Sequence, residues 1–391
     1  MREPEPGDQR VPNPAEGTAR NELPGRAVAH GATATGHAVR RDRQDRHRIE
    51  AAGLLGALGV TLVSAVFIVS FIGGLHTPGP RSVPIGLVGS PAQASRLDAT
   101  LGHQAPGAFA ISSYPSATAA RNAIGDRSID AALVPGPAGQ HLLVASAVSE
   151  AETNAIIKAF EAGAARAHVP LAVQDIRPLH NGDPEGLAQL FFCVALLAPS
   201  LVFGNMLISK IGTRLNEFRH LGLIALYSVI VAAVATAIAD AGIGALTGAP
   251  WGIFGIGALL AFATAVIGAA ATRWASTIGY VVLLLLFVPV GISSSGSTLG
   301  PRMITPWWAG VGQALPVGSA QPAVRNVTYF NSHAIVDPLL ILSAWALAGV
   351  IALILAAFLH PSTTTTASAA GRAASRAGPR RTRAAAAIAP R

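Results

Sequence analysis

Long uncharged apolar stretches alternate with polar connections along most of the chain. Six such stretches run approximately Ala51–Leu75, Leu187–Ser209, Leu221–Ala239, Pro250–Ala271, Ala275–Ile292 and Pro338–Leu359. Each is about 20 residues, the length a helix needs to cross a hydrocarbon core of roughly 30 Å. The first follows a polar leader, is longer than a signal-peptide core, and has no A-x-A site before Pro78. It therefore reads as an uncleaved anchor, a transmembrane helix over 51–75.

Between the first and second stretches, residues 76–186 show a shorter alternation. Strands are expected at Val83–Gly89, Ala108–Ser113, Ala131–Val134, Leu142–Ala147 and Leu171–Ile176. Helices are expected at Pro91–Leu101, Ala117–Ile124 and Ser149–His168, the last with Ser149 as its N-cap and Glu150 and Glu152 in its first turn. Such alternation predicts a small α/β domain. The fold class is thus a mainly α membrane protein. Its six transmembrane helices are arranged one plus five, with an α/β extracytoplasmic domain between the first and second. The five-helix part occupies 187–360 and contains a longer outer loop, 293–337. That loop carries Trp307, Trp308, Tyr329 and Phe330, and reads either as an interfacial loop or as a short re-entrant element buried among the spans.

Charge sets the orientation. Arg40, Arg41, Arg43, Arg46 and Arg48 precede the first span, while Lys210, Arg214 and Arg219 lie between the second and third. Arg273 separates the fourth from the fifth, and six arginines follow the sixth without an acidic residue. With six spans all of these fall on one side, which the positive-inside rule places in the cytoplasm, so the chain reads as a multi-pass protein of the cell membrane with both termini cytoplasmic. Residues 1–50 and 361–391 have the composition of disordered cytoplasmic segments. Their arginines suit the anionic inner leaflet of the lipid bilayer, and no nucleic-acid partner is expected. Charged residues are 12% of the chain, about half the usual share of a soluble domain, which excludes a purely soluble protein.

Candidate chemistry is sparse. No G-x-x-x-x-G-K-[ST] phosphate loop, H-E-x-x-H or G-x-S-x-G occurs, so no catalytic, cofactor or metal residues are expected. The one cysteine, Cys193, lies inside an apolar stretch and cannot form an intrachain disulfide. Asp240, at the outer end of the third span, is the one candidate for a coupling carboxylate and reads as a helix-end group. Asn205 reads as a path-lining group or an interhelical hydrogen bond.

Two patterns suggest assembly. Ala344, Ala348, Ala352 and Ala356 form a small-residue ladder on the sixth span. In Lys210–His220, the positions of Ile211, Leu215 and Phe218 predict a short amphipathic helix beneath the membrane, which lies on lipid or docks a cytoplasmic partner.

One span, an outer domain and five further spans resemble the type-2 ABC transporter permeases, in particular the branch related to the phage infection protein (YhgE/Pip-like) group. Ala119–Pro135, Leu143–Ala147 and Asp175–Gly186 resemble that branch. So does Trp308–Phe330, WAGVGQALPVGSAQPAVRNVTYF, through Trp308, Leu315, Pro316, Gly318, Arg325, Asn326, Tyr329 and Phe330. The resemblance implies a permease subunit of an exporter of unknown substrate, not itself an enzyme. It implies a homo- or heterodimer of permeases and a separate cytoplasmic ATPase subunit, contacted through Ile211, Leu215 and Phe218. The alternative is a non-transporting envelope receptor or scaffold displaying its outer domain. Half of a proton-driven exporter ranks last, because the spans lack a central acid.

Overall fold

A computed structural model describes the backbone of residues 31–211 and 215–359, and side chains from residue 49 within those ranges. The expected disordered tail 361–391 lies outside the described residues. The chain divides into two units, Met1–Leu62 and Val63–Arg391. Helix α1 (Gly31–Ile68) passes from one to the other and ends in a π-helical turn, Val69–Gly73. It starts inside the segment 1–50, whose first thirty residues lie outside the described residues. The last proline before it is Pro24, and the Ala, Arg and Gln44 of its first half are good helix formers.

The second unit contains the α/β domain. Its elements are β1 (Val83–Val88), α2 (Pro91–Gln104), β2 (Phe109–Tyr114), α3 (Ala117–Gly125), β3 (Ala131–Gly136), β4 (Gly139–Val144), α4 (Glu150–Ala167) and β5 (Leu171–Asp175). The five strands are ordered β2-β1-β3-β4-β5. β1 runs parallel to β2 and β3, β4 is antiparallel to β3, and β5 is parallel to β4. Serines start all three helices: Ser90, Ser116 and Ser149 each accept a backbone N–H of the first turn. β4 begins earlier than expected, because Pro137 and Ala138 form a tight hairpin that pairs Gly136 with Gly139. Two turn-forming residues in a Gly-rich run hid that pairing.

The strands alternate sides, as a two-residue period requires. Leu133, Leu142 and Val144 join Ala94 and Leu101 of α2 and Ile156 and Phe160 of α4 on one face. Ala132 and Leu143 meet Ala120, Ala123 and Ile124 of α3 on the other. α3 alone is too short to cover this second face. The remainder is covered by Tyr329 and Phe330, nearly two hundred positions away in the chain.

The helical core comprises α5 (Ala188–Met206, continued to Ile211), α6 (Glu217–Ala237, continued to Gly242), α7 (Pro250–Leu285, continued to Val290), α8 (Gly291–Ser294), α9 (Pro306–Ala314), α10 (Pro316–Tyr329) and α11 (Val336–Leu359). Among the described residues, five helices are long and apolar enough to cross a membrane: Ile49–Gly73, Ala188–Ile211, Glu217–Gly242, Pro250–Ser294 and Val336–Leu359. The chain is therefore a multi-pass membrane protein. The fourth stretch has 45 residues and contains both the expected fourth and fifth spans. A straight helix of that length would run roughly 68 Å, about twice a hydrocarbon core. Its backbone leaves helical geometry at Ala275 (φ −129°, ψ 17°) and Ser276 (φ 53°, ψ −142°).

α9 and α10 form a helical pair inside the expected outer loop, separated by the extended residue Leu315. Pro316 opens α10 at its first position, where a missing N–H costs nothing. A Cβ on Gly318 would lie 2.5 Å from the Gly312 carbonyl carbon, so only glycine lets the two helices approach. α10 is buried on nearly every side, and Val317, Ala320, Val324 and Val327 join Phe192, Leu196, Ile256, Phe287 and Leu342 in the main core. Of the two readings of this loop, burial supports the enclosed element. Trp308 of α9 packs with Ile304, Ala309 and Leu75 in a smaller cluster.

Within the chain, α11 packs by a face other than its small-residue ladder. Ala344 and Ala348 are exposed, Ala352 is half-buried, and Ala356 alone is buried. The buried face is Leu342, Ala346, Gly349, Leu353 and Ala356. Steps of four residues turn the ladder about 40° each time, whereas alternating steps of four and three stay on one side. Gly349 marks the closest approach to α7, since a Cβ there would sit 2.6 Å from Val266. The expected amphipathic helix over Lys210–His220 is also not continuous. Ile211 ends α5 and packs inward with Leu207 and Ile224, while Leu215 precedes the Asn216 N-cap of α6. Phe218 projects from the first turn of α6 and is 81% exposed. Residues 212–214 lie outside the described residues. Asn205 makes an interhelical bond, its Oδ1 accepting from Thr272 of α7 at 3.0 Å.

Candidate functional site at the joint between domain and helical core

The α10 residues singled out by the sequence converge where the α/β domain meets the helical core. Arg325, only 6% exposed, is the centre. Its guanidinium donates to the Val148 carbonyl just before α4, to the Gly186 carbonyl at 2.9 Å, and to Gln189 Oε1 on α5 at 3.4 Å. One side chain therefore ties three segments together with its planar fork of donors. Asn326 Nδ2 donates to the Ala334 carbonyl at 3.0 Å and closes the turn after α10. The Tyr329 hydroxyl accepts the His180 backbone N–H at 3.4 Å, and the two rings lie 4.6 Å apart. Phe330 is fully buried against the sheet, with the Arg127 guanidinium 4.8 Å above its ring.

The segment entering α5 is held independently. Asp183 accepts the Leu187 and Ala188 N–H groups at 2.9 and 3.0 Å. A carboxylate there satisfies two free donors and complements the positive end of the helix.

Beside this anchor lies an ion cluster from the loop before β3, the first turn of α4 and the segment before α9. Asp130 meets Arg302 at 3.2 Å and Arg127 at 3.5 Å. Glu152 is 1% exposed, and neither carboxyl oxygen has a hydrogen-bond partner among the described residues. Burial, and then the Asp130 charge, push the Glu152 carboxyl up to about 8, against the weaker pull of Arg302 and Arg127. Protonated, it becomes a donor facing Asp130. Gly300 gives it room: a Cβ there would lie 2.7 Å from Glu152 Oε2, at a φ of +94° that glycine alone adopts easily. Burial also lowers the Arg127 pKa, with Asp130 and Glu152 opposing.

Sequence reasoning reached Arg325, Asn326, Tyr329 and Phe330 through one string of residues, but it missed what they touch. Glu152 looked like an ordinary first-turn carboxylate, and nothing local marks its burial. Asp183 and His180 lie within Asp175–Gly186, where His180 reads from the sequence as an ordinary surface histidine and Asp183 carries no local signal of its capping role. Trp308, Leu315, Pro316 and Gly318 shape the α9–α10 pair rather than the joint. Ile211, Leu215, Phe218 and the α11 alanines lie outside it. Among the described residues no cluster of three His, Cys, Asp or Glu is placed to hold a metal ion. The arrangement joins the α/β domain to the helical core and buries one carboxyl, Glu152, beside that joint. Comparison of the chain with family models, with curated proteins and with solved structures finds no match.

Proposed function

We propose that this chain is the membrane permease subunit of an exporter, moving a substrate of unknown identity and driven by a separate ATPase subunit. The observation that carries the reading is the clamp through Arg325. A helix enclosed by the span core grips the α/β domain, so rearrangement of the spans must move that domain. Energy has to enter from outside the chain, because no phosphate-binding loop motif is present. The subunit works as a homo- or heterodimer with another permease, in the cell membrane.

In this reading the 45-residue stretch is two spans that meet at the Ala275–Ser276 break, for six in total. Support comes from Glu217 at the start of α6, which pairs with Arg273 at 3.7 Å and with His220 at 3.1 Å. The break and the α5–α6 connection therefore share one side, together with their arginines, and the positive-inside rule makes that side cytoplasmic. The α/β domain then faces outward. A cysteine placed at the exposed position Ser95 of α2 should react with an impermeant reagent added to intact cells, and one at Ser375 should not. Reaction at both sites would overturn the topology.

Phe218 is the contact proposed for the ATPase, since this aromatic ring at a cytoplasmic helix start is left exposed by the described residues. Phe218→Ala should cost about 2 kcal/mol of partner binding, roughly 30-fold in affinity, and leave the melting temperature unchanged. Copurification in mild detergent tests both points. A stoichiometric ATPase with the native chain, lost in the variant, is the expected result; no ATPase at all would overturn the reading. A receptor or scaffold that displays its α/β domain is the second reading. It is favoured by an open groove of about 470 Å³ at the ends of β4 and β5, lined by Ser146, Glu150, Asn154, Asp175 and His180.

A further inference from the structure

A second cavity, of about 230 Å³, lies on the α3 side of the joint. The α/β domain supplies Arg121, Asn122, Asp126 and Arg177 to its wall, and the turn between α10 and α11 supplies Asn331 and His333. The turn is firmly held: Ser332 N–H donates to the Asn326 carbonyl at 3.0 Å, and His333 N–H to the Phe330 carbonyl at 2.9 Å.

The charges in this cavity do not balance. Its single carboxylate, Asp126, is engaged by His333 Nδ1 at 3.4 Å. Among the described residues neither Arg121 nor Arg177 pairs with a carboxylate. Arg121 is steadied by Gln174, to which Nη2 donates at 3.1 Å, and its other donors remain available. Arg177 Nε is buried and has no hydrogen-bond partner among the described residues. A buried donor of a charged group left unpaired is costly, and the shortfall is one of acceptors. A cation would be repelled by two guanidiniums, and a neutral apolar ligand would leave Arg177 unsatisfied. The volume falls below the range typical of drug-sized ligands.

The geometry points to a binding site for a small phosphate-like oxyanion, held by Arg121 and Arg177 from one side and reached by Asn331 and His333 from the other. Guanidinium forks match the oxygens of such a group, and the two asparagine amides provide further donors. Because the walls come from both the α/β domain and the α10–α11 turn, an anion in the cavity would hold the joint closed. Binding to the native arrangement alone then stabilises it by mass action. The inference stands apart from the exporter reading, as it concerns only what occupies the joint. The oxyanion is either free in solution or the headgroup of an anionic lipid.

The test uses the purified full chain in neutral detergent, at constant ionic strength. Inorganic phosphate should raise the melting temperature with a saturable dose dependence. Arg177→Gln and Arg121→Gln should each weaken the apparent affinity at least about tenfold. Arg121 is exposed, so its variant reads out binding without a folding defect, and Arg96→Gln on α2 should respond like the native chain. A second arm compares discs of phosphatidylcholine alone with discs containing phosphatidylglycerol, without free phosphate. Stabilisation by phosphatidylglycerol that depends on Arg121 and Arg177, with no response to phosphate, assigns the site to a lipid headgroup. If neither anion stabilises the chain, or the variants respond like the native protein to both, the site does not exist.

Discussion

Arg325→Ala is expected to loosen the α/β domain from the helical core and to lower stability by about 3 kcal/mol. The loss arises from what remains behind. The Val148 and Gly186 carbonyls and the Gln189 amide oxygen would be left in a buried place without the donor they share. Val148, Gly186 and Gln189 are themselves buried, so water does not readily replace that partner. Arg325→Lys should restore little, because one ammonium on a flexible stem cannot present the same planar set of donors to three segments. The measurement is the melting temperature of the detergent-solubilised chain, combined with limited proteolysis of the α/β domain. Faster cleavage within residues 76–186 is the expected result for both variants. Native cleavage rates in Arg325→Ala would show that Tyr329 and Phe330 alone hold the joint. The exporter reading would then lose its mechanical link.

The second large effect is on pH dependence. The Glu152 carboxyl sits at about 8 in the fold against an ordinary value of 4.5. Between those two values the folded chain keeps a proton that the unfolded chain has released. Stability from this group is therefore full below the lower value, falls as pH rises through the window, and levels off above about 8. The total change is roughly 3–5 kcal/mol. Glu152→Gln should remove that slope, since the amide resembles the protonated acid and carries no charge at either end. Asp130→Asn should narrow the window from its upper end, by withdrawing the negative charge that helps to raise Glu152. Melting temperatures at pH 5 and pH 8, compared among the three chains, provide the check. A native chain with the same slope as Glu152→Gln would mean that the carboxyl is ionised and solvated, contrary to its burial.

The two effects meet at one place, and they divide its roles. Arg325 supplies attachment across the joint. If the pH slope is as expected, Glu152 would make the tightness of the same joint depend on the proton concentration around the α/β domain, without any acid at the centre of a span. Asp240, the one candidate for a coupling carboxylate in the sequence and read there as a helix-end group, lies in the turn that ends α6 and takes no part in this cluster.

Much of the architecture was legible in the chain because it depends on near neighbours. Apolar stretches of about 20 residues identify the membrane helices, since the bilayer imposes that length regardless of what packs alongside. The alternation from Val83 to Ile176 identified the strands and helices of the α/β domain, and Ser149 was correctly read as a cap, because both signals lie within a few residues. The string from Trp308 to Phe330 stood out by its residues, although its burial did not.

What only the tertiary structure decided is whatever rests on distant segments meeting. The α11 packing face follows the 342–346–349–353–356 spacing because α7 lies against it, and an alanine ladder cannot reveal which side a neighbour will occupy. Ile211 turned inward because α5 continues into the core, separating it from Phe218. Glu152 became a buried acid because Gly300 and Asp130 close over it from other loops, and Arg325 found acceptors more than a hundred residues away in the chain. Periodicity encodes which side of an element is apolar. It carries no information about which partner desolvates a charge, and desolvation is what gives these residues their properties.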